Sequence, residues 1–170
     1  ITILCAMIEK KELAARIKKK KQILDKIRAN ISRVFVAKEY QINTLIMGMI
    51  SGLHILIEDI PGVGKTTLAK CLSATVGLDF VRIQFTPDLL PGDVLGMTVW
   101  DNELRKFIFK QGTIMHQFIL ADEINRASPR TQSAFLEAMQ EGSASVEGKT
   151  FILPQPFFVV GTQNPISFVG

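Results

Sequence analysis

Two cysteines, two histidines and one tryptophan occur in 170 residues, and this scarcity excludes several kinds of site at once. Cys5 and Cys71 form neither a C-x-x-C pair nor a spacing used for zinc, so the sequence offers no thiolate metal site and no disulfide framework. Cys71 falls on a predicted helix and reads as a small buried thiol. Such cysteine usage fits a reduced, cytoplasmic compartment. His54 and His116 each stand alone near a strand start, without a second ligand at metal spacing, and are expected to bind no metal. Trp100 has no basic and aromatic stripe around it, so it is expected to pack within a hairpin rather than to stack on nucleic acid. No apolar run approaches the ~20 residues of a membrane helix. The opening ITILCAMI is too short to span a bilayer and has no basic stretch before it, which argues against a signal peptide. There is no internal repeat, and no low-complexity tract beyond one run of lysines. The chain does not open with Met, and we read it as a fragment.

What is present is the composition of an ordinary globular protein, 47% hydrophobic and 21% charged, in a chain long enough to bury a real core. The net charge of +4 is uneven. Nine basic and three acidic residues fall within residues 1–28, and the remainder carries a small net negative charge. The basicity therefore belongs to one N-terminal segment with the run Lys18–Lys21 and not to a domain-wide patch. A solvated helix face accounts for it, and contact with nucleic acid or another acidic surface is the competing reading.

Leu13, Ile17, Leu24, Ile27 and Ile31 recur at helical intervals and predict an amphipathic helix over 9–35, packed on the domain surface. A second helix is expected over 38–51, with Ile42, Leu45, Ile46, Met49 and Ile50 as a wide apolar face and Gly52 as its end. We divide the chain accordingly into a basic helix, 1–35, and a core, 36–170. In the core the pattern changes. HILIE (54–58) reads as a buried strand, followed by a helix from Lys65 to Val76 closed by Gly77. FVRIQF (80–85) is a second strand. MTVW and KFIF, flanking Asp101-Asn102-Glu103, predict a hairpin. QFILADE (117–123) is a further buried strand. Ser128 as cap and Pro129 as first residue open a helix over 129–141. Residues 144–153 predict a second hairpin turning at Glu147-Gly148, and PFFVVGTQNP (156–165) is the last strand with its exit. Strands separated by helices indicate a parallel sheet in an α/β fold.

The junction HILIEDIPGVGKTTLAKCL (54–72) carries the chemistry. A phosphate-binding loop usually reads G-x-x-x-x-G-K-[ST]; Asp59 replaces its first glycine, where the chain leaves the strand and the requirement is weakest. The other positions are kept. Gly62 and Gly64 let backbone N–H groups surround phosphate oxygens, and the helix N-terminus adds partial positive charge. Lys65 is placed to reach the β- and γ-phosphates, and Thr66 to offer a hydroxyl to Mg2+. Pro61, Gly62, Val63, Gly64, Lys65, Thr66 and Thr67 are thus the candidate nucleotide-binding stretch. Asp122 and Glu123 end the FILADE strand at the carboxyl edge of the sheet, where ligands bind. Asp122 is the second candidate for Mg2+ and Glu123 for polarising the attacking water. If the last strand lies between HILIE and FILADE, Asn164 stands beside the γ-phosphate and orients that water.

These elements resemble the AAA+ ATPases, and among them the MoxR family, over nearly all of residues 30–166. GLHILIEDIPGVGKT, RIQFTPDLLPGDVLG, LADEINRASPRTQSAFLEAMQEG and PFFVVGTQNP are similar to MoxR blocks in order and spacing. The resemblance implies a three-layer P-loop NTPase fold that binds and hydrolyses ATP with Mg2+. It accounts for Asp59, since the MoxR loop often carries "ED" there. It matches Gly64, Lys65 and Thr66 to the phosphate loop, Asp122 and Glu123 to the magnesium and water-activating acids, and Asn164 to the sensor amide. The hairpins near 97–109 and 144–153 look like the insertions of this clade. Val36-Ala37-Lys38 departs from the usual Val-Gly-Gln near the adenine, a contact made largely by backbone. The resemblance further implies a fifth strand, an arginine finger and a helical lid, all expected beyond Gly170. Arg126 and Arg130 match the INRASPR block and not the finger.

By the same resemblance the complete protein is expected to form a hexameric ring and to remodel or mature partner protein complexes, often ones with von Willebrand A domains. Two readings from other classes share part of these features. A DNA-directed AAA+ motor carries similar hairpins, but a basic hairpin would be needed, and Lys149 is set against Glu147 while Asp101 and Glu103 accompany Arg105 and Lys106. A non-catalytic nucleotide switch needs no water-activating Glu123. A small-molecule kinase leaves the sensor and hairpins unexplained.

Overall fold

The computed structural model of the chain describes residues 2–34, 39–58 and 64–164, the side chains of 2–12 excepted. Its centre is a four-stranded sheet in the order β1 (Ile55–Glu58), β8 (Phe158–Gln163), β5 (Phe118–Asp122), β2 (Phe80–Gln84). All three pairings are parallel. A parallel sheet needs cover on both faces, because its crossovers place helices there. The strands supply both faces by alternation. Phe118, Leu120, Phe158 and Val160 join one core with Ile42, Leu45, Ile46 and Leu72. Ile119, Ala121, Val159 and Ile83 join the other with Phe135, Ala138 and Val94. Helices α1 (Thr2–Val34), α2 (Glu39–Ile50) and α3 (Lys65–Val76) lie over the first face; α4 (Pro91–Leu95) and α5 (Pro129–Glu141) lie over the second. The result is the three-layer α/β arrangement expected, with β8 between β1 and β5.

The caps follow from local sequence. The Ser128 hydroxyl accepts the Thr131 N–H at 3.3 Å with Pro129 in the first turn of α5. Gly77 ends α3 at φ 72°, a left-handed conformation that side chains with a Cβ avoid. The hairpin β6 (Ser143–Val146) and β7 (Lys149–Ile152) turns at Glu147 and Gly148, both at positive φ, as a two-residue turn matched to strand twist requires. The hairpin β3 (Gly96–Asp101) and β4 (Lys106–Gln111) holds its turn through the Asp101 carboxylate, which accepts the N–H groups of Glu103 and Leu104 at 2.9 and 2.8 Å. Trp100 packs edge-on against Phe107 across this hairpin, the packing role expected of it.

Four expectations are corrected. The first helix begins near Thr2 rather than at residue 9, and its stripe divides: Ile31 is buried with Leu24 and Ile27 packed behind it, while Leu13 and Ile17 are exposed. Among the described side chains, those in the C-terminal part of α1 pack toward α2 and α3, and the Arg28 guanidinium there donates to the Asn43 side chain at 2.6 Å. On α2 the buried face is narrower than expected, because Ile50 projects to solvent. HILIE is not buried on both faces. As an edge strand, β1 turns Ile55 and Ile57 inward and leaves Leu56 59% exposed. Finally, Cys71 is half-buried rather than enclosed. One further helix, α4, lies in the proline- and glycine-punctuated stretch where the pattern predicts only a hairpin; the Asp93 carboxylate caps it by accepting the Leu90 N–H at 2.9 Å. Among the described residues no helix is long and apolar enough to cross a membrane.

Candidate functional site

Because β1, β8 and β5 run parallel, their C-terminal ends open on one edge of the sheet, and every described candidate residue lies there or at the start of α3. Gly64 opens α3 in the left-handed region, at φ 77° and ψ 20°, with no side chain capping the helix. The first N–H groups of a helix have no partner within it, so this turn presents backbone donors and the positive end of the helix dipole. Lys65 and Thr66 are half-buried in that turn, and Thr67 is exposed. Asp59, Pro61, Gly62 and Val63 lie outside the described residues, as do Val36, Ala37 and Lys38. A cleft of about 390 Å3 adjoins Lys65, walled by Tyr40, Thr44 and Leu45 of α2, Glu58 of β1 and Leu68 of α3.

The acids are held more tightly than their sequence suggests. Asp122, at the end of β5, takes the Arg82 Nε–H at 2.6 Å on Oδ2 and the Thr162 hydroxyl at 3.2 Å on Oδ1. Its side chain is 13% exposed. Glu123 follows in the left-handed region at φ 56°, ψ 49°. One oxygen of its carboxylate accepts from Gln84 at 2.8 Å and from Arg126 at 2.7 Å. Its backbone N–H donates to the Thr162 hydroxyl at 3.0 Å. Asn164, half-buried, ends the described part of β8's exit, and its carbonyl accepts the Asn125 amide N–H at 3.0 Å. The ends of β5 and β8 are therefore cross-braced at two levels, through Thr162 and through Asn125. Each carboxylate also faces a guanidinium, so the charge of the acid pair is balanced locally.

Thr66 and Asp122 offer hard oxygen donors of the type Mg2+ takes. The described residues contain no cluster of three or more metal-binding side chains. Mg2+ keeps waters and phosphate oxygens and is usually bound through one or two protein ligands. The histidines make other contacts. His54 Nδ1 accepts the Val159 N–H at 3.2 Å, and its ring meets Phe157 edge-on. Burial holds its imidazole below the usual value, with the Met139 carbonyl opposing. His116 leans on the Thr113 carbonyl and Asp79.

Sequence reading missed Arg82, Gln84, Asn125 and Thr162. The first two had a signal: in FVRIQ polar residues alternate with Val81 and Ile83, so one face of β2 is polar where the sheet ends. Thr162 stands in the polar end of the last strand, Thr162-Gln163-Asn164, where the sequence alone gives a task only to Asn164.

The sequence matches the family model described as "ATPase family associated with various cellular activities (AAA)" over residues 54–170. It is 48% identical to a Bacillus subtilis protein, Uncharacterized protein YeaC, over 148 residues, which cover 87% of this chain and 46% of that one. It is 42% identical over 140 residues to Chaperone MoxR1 of Mycobacterium tuberculosis, covering 82% of this chain and 37% of that one. Among solved structures, a crystal structure of a candidate ATPase from Cytophaga hutchinsonii superposes with a TM-score of 0.79 at 40% identity, covering 94% of this chain and 49% of that one. The chain thus spans less than half the length of these relatives.

Proposed function

Since this chain belongs to the MoxR branch of the ATPase family associated with various cellular activities, we propose that it forms the nucleotide-binding core of an ATPase that binds ATP with Mg2+ and hydrolyses it. The observation that carries this reading is the acid pair Asp122 and Glu123 at the C-terminal end of β5, beside the Asn164 exit of β8, on the sheet edge where α3 begins at Lys65.

Each group has a task that its chemistry fits. Gly62, Val63, Gly64 and Thr67 offer backbone N–H groups to phosphate oxygens, with Pro61 shaping the turn before them, and Lys65 sets its ammonium against the β- and γ-phosphates. Thr66 and Asp122 would hold Mg2+, which when bound would neutralise phosphate charge. Glu123 accepts a proton from the attacking water, and Asn164 orients that water. The cleft beside Tyr40 and Thr44 mixes apolar side chains, Leu45, Ile55 and Leu68, with the polar Thr44, Glu58 and Lys65, as a base and ribose require. The contacts of Glu123 with Gln84 and Arg126 fix its carboxylate before substrate arrives.

We extend the proposal to the complete protein: a homo-oligomeric, hexameric ring in the cytoplasm that uses hydrolysis to remodel or mature partner protein complexes, von Willebrand A-domain proteins among them. A relative named a chaperone supports the remodelling role. The test is phosphate release from Mg-ATP by the complete protein over a range of protein concentrations, with particle size followed by light scattering. Turnover that rises with assembly supports the ring. A chain that neither binds nor hydrolyses ATP sinks the whole reading.

A further inference from the structure

We propose that Thr162 is a positioning residue for the hydrolytic acids, setting Asp122 and Glu123 through one hydroxyl; this rests on the ATPase reading above. Thr162 is 4% exposed, although it carries a polar group, and it follows the apolar stretch Phe158–Gly161 of β8. Its Oγ1 accepts the Glu123 N–H at 3.0 Å and lies 3.2 Å from Asp122 Oδ1. A hydroxyl has one proton, and an ionised carboxylate only accepts. The direction of the network is therefore fixed: Glu123 N–H to Thr162 Oγ, then Thr162 O–H to Asp122.

Two consequences follow from this chain. Glu123 occupies the left-handed region, which costs a residue with a Cβ and persists only where its surroundings enforce it. The Thr162 hydroxyl supplies that enforcement by holding the Glu123 N–H, and so sets the direction in which the Glu123 side chain leaves the backbone. The same hydroxyl orients the Asp122 carboxylate from one side while Arg82 holds it from the other. The sheet holds Thr162 in place: it stands opposite Ile57 of β1, and the preceding Gly161 stands opposite Ala121 of β5. The packing beneath it is close as well: a Cβ at the preceding Gly161 would lie 2.7 Å from Ile124, on the turn that follows Glu123. One central strand thus aligns both acids against a common reference.

The role is separable from phosphate binding when Mg2+, which Asp122 would help to hold, is saturating. Phosphate contacts belong to the start of α3, whereas Thr162 acts through the acids alone. In the complete protein, Thr162→Val keeps the shape of the side chain and removes the hydroxyl. The expected result is a fall in kcat of about 10²-fold, as for misplacement of a reacting group by ~1 Å, with ATP affinity and KM within about threefold of the parent. Thr162→Ser keeps the hydroxyl and should retain kcat within a few-fold. Hydrogen exchange gives a readout independent of turnover: the Glu123 amide should exchange faster in the valine variant than in the parent or the serine variant. Parent-like kcat in a folded valine variant overturns the proposal, and so does a serine variant that loses as much as valine. Should the valine protein fail to fold, the serine result alone still decides. A parent without ATP turnover overturns the ATPase reading and this one with it, a failure distinct from the loss of the valine and serine contrast in an active enzyme.

Discussion

Phe109 and Phe151 stack face to face, centroids 3.8 Å apart and planes 10° from parallel. This contact joins the hairpin β3–β4 to the hairpin β6–β7, which are otherwise separate two-stranded sheets. An isolated two-stranded hairpin is at best marginally stable in water. Each of these two therefore depends on the other, and on α4 and α5 beneath them. Phe151→Ala should destabilise the protein by about 1–2 kcal/mol, the value of a half-buried ring and its aromatic partner. A double-mutant cycle with Phe109→Ala, read by urea unfolding, should return a coupling of about 0.5–1.5 kcal/mol. Additive losses would show that the rings do not hold the hairpins together.

Lys65→Ala should remove nucleotide binding, because the triphosphate loses its side-chain counter-charge in the first turn of α3. Titration of a fluorescent ATP analogue against both proteins reads this. Equal affinities would remove Lys65 from the site.

Glu123→Gln in the complete protein should bind ATP as the parent does and turn over ~10²–10⁴ times more slowly, the contribution of a positioned general base. The amide keeps the size of the side chain and can still meet Arg126 and Gln84 in part, so folding is spared. Asp122→Asn should act differently, raising the Mg2+ concentration needed for half-maximal turnover. Identical magnesium dependence in the Asp122→Asn variant and the parent would exclude Asp122 from holding the ion.

His54 makes stability depend on pH. Its Nδ1 accepts the Val159 N–H, which the protonated ring cannot do, and burial lowers its pKa below the usual 6.5. The unfolded chain therefore takes up a proton before the folded one does. The contribution is fully present above about pH 6.5, and is lost as pH falls through the lower folded value. Urea midpoints measured from pH 7.5 to 5 should decline in the parent. The decline should be shallower in His54→Gln, whose amide oxygen can accept from Val159 without titrating. Parallel curves would assign the acid sensitivity to other groups.

Local sequence was enough for the order and kind of the elements other than α4, and for naming the candidate groups. Apolar runs of four to six residues marked β1, β2, β5 and β8, while Ser128-Pro129, Gly77 and Glu147-Gly148 marked helix ends and a turn. Periodicity, capping and positive φ act within a few residues of chain, so a one-dimensional reading recovers them. Lys65, Thr66, Asp122, Glu123 and Asn164 were recognisable because each sits at a strand or helix end that the pattern itself predicts. What those groups touch was settled by long-range packing. Arg82 and Gln84 reach Asp122 and Glu123 only because β2 pairs with β5, in a register that sets Gln84 opposite Asp122. Thr162 meets both acids only because β8 lies between β1 and β5. Leu13, Ile17 and Leu56 are exposed despite apolar patterning, because burial depends on which neighbour covers a face, and the period of a sequence names the face without naming the neighbour. Strand order and register are choices between distant segments, made by the summed packing of both cores, and no short stretch of sequence contains them.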